Sequence, residues 1–297
     1  MAATRPARLA VGVVSAGRVG SVVGAAWAAA GHHVIATSGV SRASVRRAEA
    51  LLPDVPLLAP DAVAAQADLV LLAVPDDVLA GLVRGLAAAG SFRAGQIVVH
   101  TSGAHGVAVL APAVEHGVLP LALHPVMTFT GRVEDVARLH GASVGVTATP
   151  DDEAAWNVGE ALVVEMGADP VRVEESVRPL YHAALAHGAN HLVTLVRDCV
   201  DVLAAAGVQP AERLVAPLLS AALDNALRHG DRALTGPVAR GDAGTVRTHL
   251  RVLTEADADI AAAYRAMALR TVQRATAAGL LPEHAAKDVL AALEESA

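Results

Sequence analysis

The chain has 297 residues, enough for two domains with a sizeable core, and at 54% apolar against 18% charged it is not a disordered polymer. Its 23 basic and 30 acidic residues leave a net charge of −7, which argues against a nucleic-acid binder. The single Cys199 excludes an intrachain disulfide framework and a Cys-rich zinc site, so no metal site is expected; Lys287 is the only lysine, so a mechanism that needs a buried catalytic lysine is closed to this chain.

The first half alternates short apolar runs with Ala-rich helical stretches. Strands are expected at 9–14, 33–36, 68–74, 96–100, 119–123 and, last, 142–147. Helices are expected at 21–30, 44–52, 77–89 and 107–115. Apolar strands without alternation, separated by helices, predict a parallel sheet covered on both faces, in a doubly wound α/β fold. From about 170 the apolar spacing turns helical. One helix is expected over 176–206 and ends at Gly207, a second over 210–229, a single long one over 244–278, and a last over 282–295. The expected organisation is a Rossmann-like domain at 1–170 and an all-α domain at 171–297. The longest stretch free of Asp, Glu, Lys and Arg, 19–41, is interrupted by Gly24, Gly31, His32 and His33, so no transmembrane helix is expected. Met1 to Arg8 runs straight into the first strand with no cleavable apolar region, which predicts a cytoplasmic protein.

Ser15-Ala16-Gly17-Arg18-Val19-Gly20 follows the first strand and opens the first helix. This is the G-x-G-x-x-G position of a dinucleotide site, with serine for the first glycine. Backbone N–H groups there can face a pyrophosphate at a helix N-terminus, Gly17 permits close approach and Gly20 permits helix–strand packing. Ser15 fits the turn only with a negative φ, and its hydroxyl is a possible phosphate contact. No acidic residue follows the second strand to hold a ribose 2′-OH. Thr37, Ser38 and Ser41 are followed instead by Arg42, Arg46 and Arg47. Hydroxyls with guanidinium suit a 2′-phosphate and point to NADP(H), with Ser38 and Arg42 as contacts; the alternative is a solvated helix face.

Ligands of open α/β sheets bind beyond the carboxyl ends of the strands. Val74-Pro75-Asp76 ends one strand, and Val74 and Pro75 are expected to pass the cofactor. The next two ends are His100 to Gly106 and His124 to Phe129. Ser102 or His124 is placed to donate a proton or hydrogen bond to a carbonyl oxygen as hydride arrives. For each histidine the plain alternative is a satisfied structural ring.

Three segments carry a resemblance. Residues 100–129, then Tyr181-His182-Ala183-Ala184 with Asn190, and then Asn225, Thr235 to Asp242, Thr245 and His249 resemble the bacterial Rossmann-like proteins with a helical C-terminal domain of unknown function. That family is similar to the superfamily of 6-phosphogluconate dehydrogenase, ketopantoate reductase, pyrroline-5-carboxylate reductase and the deazaflavin-dependent NADP oxidoreductases. The resemblance implies an active site in a cleft between the two domains and a homodimer joined through the helices. The classical ketopantoate and 3-hydroxyacid enzymes of that superfamily place a lysine on the first long helix, a few residues before an asparagine. Here Asn190 has no such lysine, and His182 and His187 stand nearby. The resemblance favours His182 as a catalytic residue; spacing favours His187, which shares a face with Asn190 at i, i+3, whereas His182 lies about 80° away. The loop from Thr235 to Asp242 is implied to face the substrate, with Arg240 on its carboxylate and Asp242 holding the loop or capping the next helix.

The reading that follows is an NADP(H)-dependent oxidoreductase acting on the carbonyl or imine of a small acid, with ketopantoate favoured by resemblance (2-dehydropantoate 2-reductase). Its catalytic residues would be His124, His182, Ser102 and Asn190. The alternatives are a non-catalytic NADP-binding sensor or scaffold and a deazaflavin-linked oxidoreductase. No nucleic-acid or membrane partner is expected.

Overall fold

The computed structural model describes residues 8–295; of the stretch read for a leader, all but Arg8 lies outside the described residues. Contacts divide the chain into two compact units, residues 1–187 and 188–297.

In the first unit, β1 (Ala10–Val14) leads to α1 (Arg18–Ala29), β2 (His33–Thr37), α2 (Arg42–Leu51), α3 (Pro60–Gln66), β3 (Leu69–Leu72), α4 (Asp76–Ala88) and β4 (Ile97–His100). A short 3-10 helix (Val107–Leu110) and α5 (Ala111–Val114) precede β5 (Leu119–Pro125). Then come α6 (Glu134–Leu139), β6 (Ser143–Thr147), α7 (Glu153–Glu165) and β7 (Asp169–Arg172). The sheet order is β2-β1-β3-β4-β5-β6-β7. β1 therefore sits at the point where the strand order reverses, the place where such sheets bind ligands.

β1 to β5 are parallel, as their unbroken apolar runs predict. Two expectations fail beyond them. β6 pairs with β5 antiparallel, because a short excursion through α6 replaces a full crossover helix. β6 is also not the last strand: β7 adds to it in parallel. β7 escapes a search for apolar runs because its sequence is Asp-Pro-Val-Arg and only Pro170 is partly covered. It is an edge strand. Asp169 N and Val173 N donate to β6, so by alternation the nitrogen of Pro170 faces the open edge.

Two cores flank the sheet. One gathers Trp27 with Leu69, Leu71, Leu121, Leu123 and Trp156; the other gathers Val70, Leu72, Leu79, Val83 and Leu110. Each fully buried side chain of this kind contributes about 1.5–3 kcal/mol. The indole N–H of Trp27 donates to Leu162 O at 3.0 Å, tying α1 to α7.

The first unit runs past the expected boundary at 170, because β7 belongs to the sheet and the segment after it packs on the strand ends. α8 (Arg178–Ala205) starts there and is continuous through His187 and Gly188. The second unit holds the rest of α8 with α9 (Ala211–His229), α10 (Pro237–Arg240), α11 (Ala243–Ala256), α12 (Ala258–Ala277) and α13 (Glu283–Glu295). Its main core is Val246, Leu250, Val272, Leu281, Val289 and Leu293. The single helix expected over 244–278 is two helices. Asp257 adopts an extended conformation (φ −162°, ψ 115°) and its carboxylate accepts the N–H groups of Asp259 and Ile260, ending α11 and capping α12. Among the described residues no helix is long and apolar enough to cross a membrane.

Candidate functional site

The turn after β1 is braced by the end of β2. Ser15 N donates to Ser38 Oγ at 2.9 Å and Ala16 N to Ser38 O at 2.7 Å, while Ser38 N donates to Val13 O at 2.9 Å. Ser15 takes a φ of +79°, against the expectation of a negative value, so the serine adopts the left-handed conformation that the missing glycine would have supplied. The turn leads into Gly17, the residue before α1. A side chain on Gly17 would meet no protein atom closer than 3.5 Å, so the space before the helix is open. Gly20 is different: a Cβ there would come within 2.2 Å of Ser15 O, so only glycine allows α1 to seat against the turn. Arg18 is exposed and Val19 packs partly against the core. The result is a helix N-terminus of open backbone, which is what a diphosphate requires.

The hydroxyls after β2 all make contacts within the protein. Thr37 Oγ1 turns inward to donate to Val13 O at 3.0 Å, and Ser38 braces the turn. Ser41 and Ser44 form a capping box at the start of α2. What remains is basic. Arg42 and Arg46 are exposed, and Arg47 has its Nε buried without a hydrogen-bond partner. The stems of Arg18 and Arg47 both lie over Gly131. Among the described residues Arg18, Arg42, Arg46 and Arg47 hold no carboxylate, whereas Arg93, Arg172 and Arg247 each do. The loop carrying Gly131 is fixed by buried Asp135, which accepts from Thr130 N at 2.6 Å and Gly131 N at 2.8 Å. Val74 is half-buried and Pro75 exposed just beyond the end of β3, and Pro75 precedes α4.

The strand ends β4, β5 and β6 converge on a residue that sequence reasoning missed. Arg178, the first residue of α8, is fully buried. Its Nε donates to Thr147 Oγ1 at 2.7 Å and its Nη1 to Ser102 O at 2.8 Å. Nη2 reaches Ala122 O at 3.3 Å and Gly145 O at 3.2 Å. All these acceptors are neutral, so a positive charge is buried without an opposing carboxylate in contact, and burial works against its protonated form.

His100 proves to be a structural ring. Its Nδ1 accepts from Ser102 N at 3.2 Å and its Nε2 reaches Gly106 O at 2.9 Å, and burial pushes its pKa down to about 4. Ser102 is buried in the same turn: its Oγ accepts from His105 N at 3.0 Å and its carbonyl holds Arg178. Its hydroxyl hydrogen is not donated to any described residue. Glu175 accepts from Val107 N at 2.6 Å and so pins the following 3-10 helix.

His124 stands apart. β4 ends at His100, level with Ala122 of β5, so the last residues of β5 project past it. His124 on that shelf is only partly buried, with Tyr181 OH at 2.9 Å from its Nδ1. Its ring meets those of Tyr181 (centroids 5.6 Å apart, 84°) and His182 (6.0 Å, 89°) edge-on. Burial, then the Arg178 charge, brings its pKa down to about 4, so the ring is neutral at pH 7. Burial raises that of the Tyr181 phenol. His124 and His182 thus meet, as the sequence suggested; Tyr181 and Arg178 complete the group. The signal for Tyr181 was its place beside His182.

In the second unit Asn190 is exposed on α8 and so is His187, in the first unit, at the end of its share of that helix. Arg240 donates to the carbonyl of Thr235 and closes its own loop. Asp242 caps α11, accepting from Thr245 N at 3.0 Å, and no Arg240–Asp242 hydrogen bond forms among the described residues. A second pair, His249 Nδ1 and Tyr264 OH at 3.0 Å, borders an apolar cavity of about 870 Å³ that also includes Cys199, Leu203 and Leu253. Among the described residues no cluster of His, Cys, Asp and Glu is arranged to hold a metal ion.

No curated protein matches the chain. Solved structures do. A protein of Bacteroides fragilis described as an NADP oxidoreductase is 18% identical, with 89% of this chain and 98% of that one covered at a TM-score of 0.73. The imine reductase of Myxococcus stipitatus in complex with NADP+ is 18% identical over 89% and 94% at 0.63. Pyrroline carboxylate reductase of Plasmodium falciparum with NADP bound is 11% identical over 97% of both chains at 0.55. At these identities the likeness is one of fold. Residues 1–125 match the Rossmann-like domain and residues 142–271 match the domain of unknown function DUF2520. The chain thus belongs to the Rossmann-like proteins whose helical C-terminal domain is DUF2520.

Proposed function

We propose that this protein is an NADP(H)-dependent oxidoreductase that reduces the carbonyl or imine of a small acid, with ketopantoate the first substrate to try. The observation that carries the reading is the open turn from Ser15 to Gly20 together with four arginines, in the turn and on α2, that hold no carboxylate among the described residues, in a chain of net charge −7. Backbone N–H groups at the start of α1 would hold the diphosphate, with Arg18 and Val19 beside them. Arg42 and Arg47 would hold the 2′-phosphate, the buried and unpartnered Nε of Arg47 being a donor in want of an acceptor. Val74 and Pro75 would line the path to the shelf at the end of β5. Bound there, the nicotinamide supplies the hydride. His124 and His182 orient the acceptor oxygen or nitrogen, and one of them moves a proton to it. Asn190, Arg240, Thr235 and Asp242 are proposed as substrate-side residues on resemblance alone. The imine reductase and pyrroline carboxylate reductase among the structural relatives support an imine as readily as a ketone.

A thermal-shift titration tests this. NADPH should raise the melting temperature, NADH less so at equal concentration. No shift with either nucleotide would remove the reading. We also propose a homodimer through the helical unit, supported by the outward apolar faces of α8 and α9, where Val193, Leu214, Leu218 and Leu227 are 62%, 55%, 67% and 80% exposed. Light scattering that gave a monomer at all concentrations would refute it.

A further inference from the structure

The geometry points to a division of labour inside the histidine pair: His124 acts as a neutral hydrogen-bond donor through Nε2, in the tautomer that the Tyr181 hydroxyl imposes, and Tyr181 is therefore a positioning residue. The inference rests on the reductase reading above and adds to it which atom of His124 faces the substrate.

Three observations carry it. First, Tyr181 OH lies 2.9 Å from His124 Nδ1 and has no other hydrogen-bond partner among the described residues. If Nδ1 carried the proton, the phenolic hydrogen would be left without an acceptor. With the phenol donating to a bare Nδ1, both groups are satisfied, and the ring proton sits on Nε2. Second, Nε2 has no hydrogen-bond partner among the described residues. It faces Gly103, where a Cβ would come within 2.8 Å of Nε2 and 2.6 Å of His182 Cδ2. Only a glycine lets the two rings pack against this turn, so no side chain stands between Nε2 and the Gly103 backbone. Third, the Arg178 guanidinium, held by one hydroxyl and by carbonyls, all neutral, lies 6.0 Å from the Tyr181 ring. A fixed positive charge so near disfavours a second proton on His124 and favours negative charge developing on an acceptor oxygen before it. A neutral imidazole that keeps its proton while polarising the acceptor leaves His182 to hand one over.

The test uses full-length protein labelled with 15N and long-range 1H–15N spectra at pH 7, with the His124 signals assigned through His124→Gln. The expected wild-type spectrum has Nε2 protonated and Nδ1 bare. Tyr181→Phe keeps the ring against Arg178 and Gly145 but removes the hydroxyl. It should give a mixture of tautomers and lower kcat for NADPH oxidation about tenfold, with KM for NADPH unchanged. The probes are 2-dehydropantoate and 2-methyl-1-pyrroline. A wild-type proton on Nδ1, or a Tyr181→Phe spectrum like that of wild type, overturns the tautomer assignment. A changed spectrum with unchanged kcat overturns the catalytic role. If wild-type protein shows the expected tautomer and reduces neither probe, the reductase reading fails, and the role of His124 in it falls too.

Discussion

Replacing Arg178 with methionine tests the hub that joins the strand ends to α8. Its guanidinium makes its closest bonds to Thr147 Oγ1 at 2.7 Å and Ser102 O at 2.8 Å, with three more carbonyls at 3.2–3.3 Å. Each buried acceptor left bare costs about 1–3 kcal/mol, so the two short bonds alone represent roughly 2–6 kcal/mol. Against this, a cation buried without a counter-charge carries a desolvation penalty of several kcal/mol, which methionine relieves. With the three longer bonds counted as well, the total exceeds that relief, and the expected net loss is about 3 kcal/mol. Arg178→Lys should not rescue it, because the charge stays buried while the fork that reaches three strands is gone. Urea unfolding followed by tryptophan fluorescence measures this in the right place, since Trp27 and Trp156 are the only tryptophans and both lie in the core of the first unit. A loss under about 1 kcal/mol, or full rescue by lysine, would show that water satisfies those carbonyls and that the hub argument is wrong.

Two other outcomes follow from the same residues. Arg42→Ala and Arg47→Ala should each weaken NADPH about tenfold while changing NADH little, as removal of one charge-assisted phosphate contact would; calorimetry that found equal losses for both nucleotides would reassign them to the diphosphate or to packing. His100 and His124 have folded pKa values lowered from 6.5 to about 4, so between those values the unfolded chain binds protons that the folded chain refuses. Stability is complete above pH 6.5 and falls as pH drops through the window, by up to about 3 kcal/mol for each ring. Melts at pH 7 and pH 4.5 should show it, and His100→Asn should flatten the slope; an unchanged slope would mean that His100 is not buried neutral.

The doubly wound half was legible because its signals are local. An apolar run, a turn and Gly20 define β1 and α1 whatever surrounds them. α7 and β7 went unseen because one is an amphipathic helix of modest contrast and the other a polar edge, held by neighbours rather than by its own composition. The helix break at Asp257 did leave a trace, an acidic cap followed by an acid in the first turn, inside a pattern otherwise continuous. At the site, His124 and His182 could be picked from strand ends and helix position. Arg178 could not. An arginine opening a helix reads as a surface charge, and only strands distant in sequence supply the carbonyls that bury it. Ser102 was legible as a strand-end hydroxyl, but not its carbonyl's part in holding Arg178.

The proline-bearing border of the sheet at β7 bears on how copies of the chain can associate. Pro170 offers no hydrogen to an incoming strand on its outward side, and the charged neighbours Asp169 and Arg172 flank it. A margin of this make is a poor template for strand addition, so it protects a crowded solution from edge-to-edge stacking into fibrils. Self-association is thereby steered away from this border and towards side-chain packing elsewhere on the molecule.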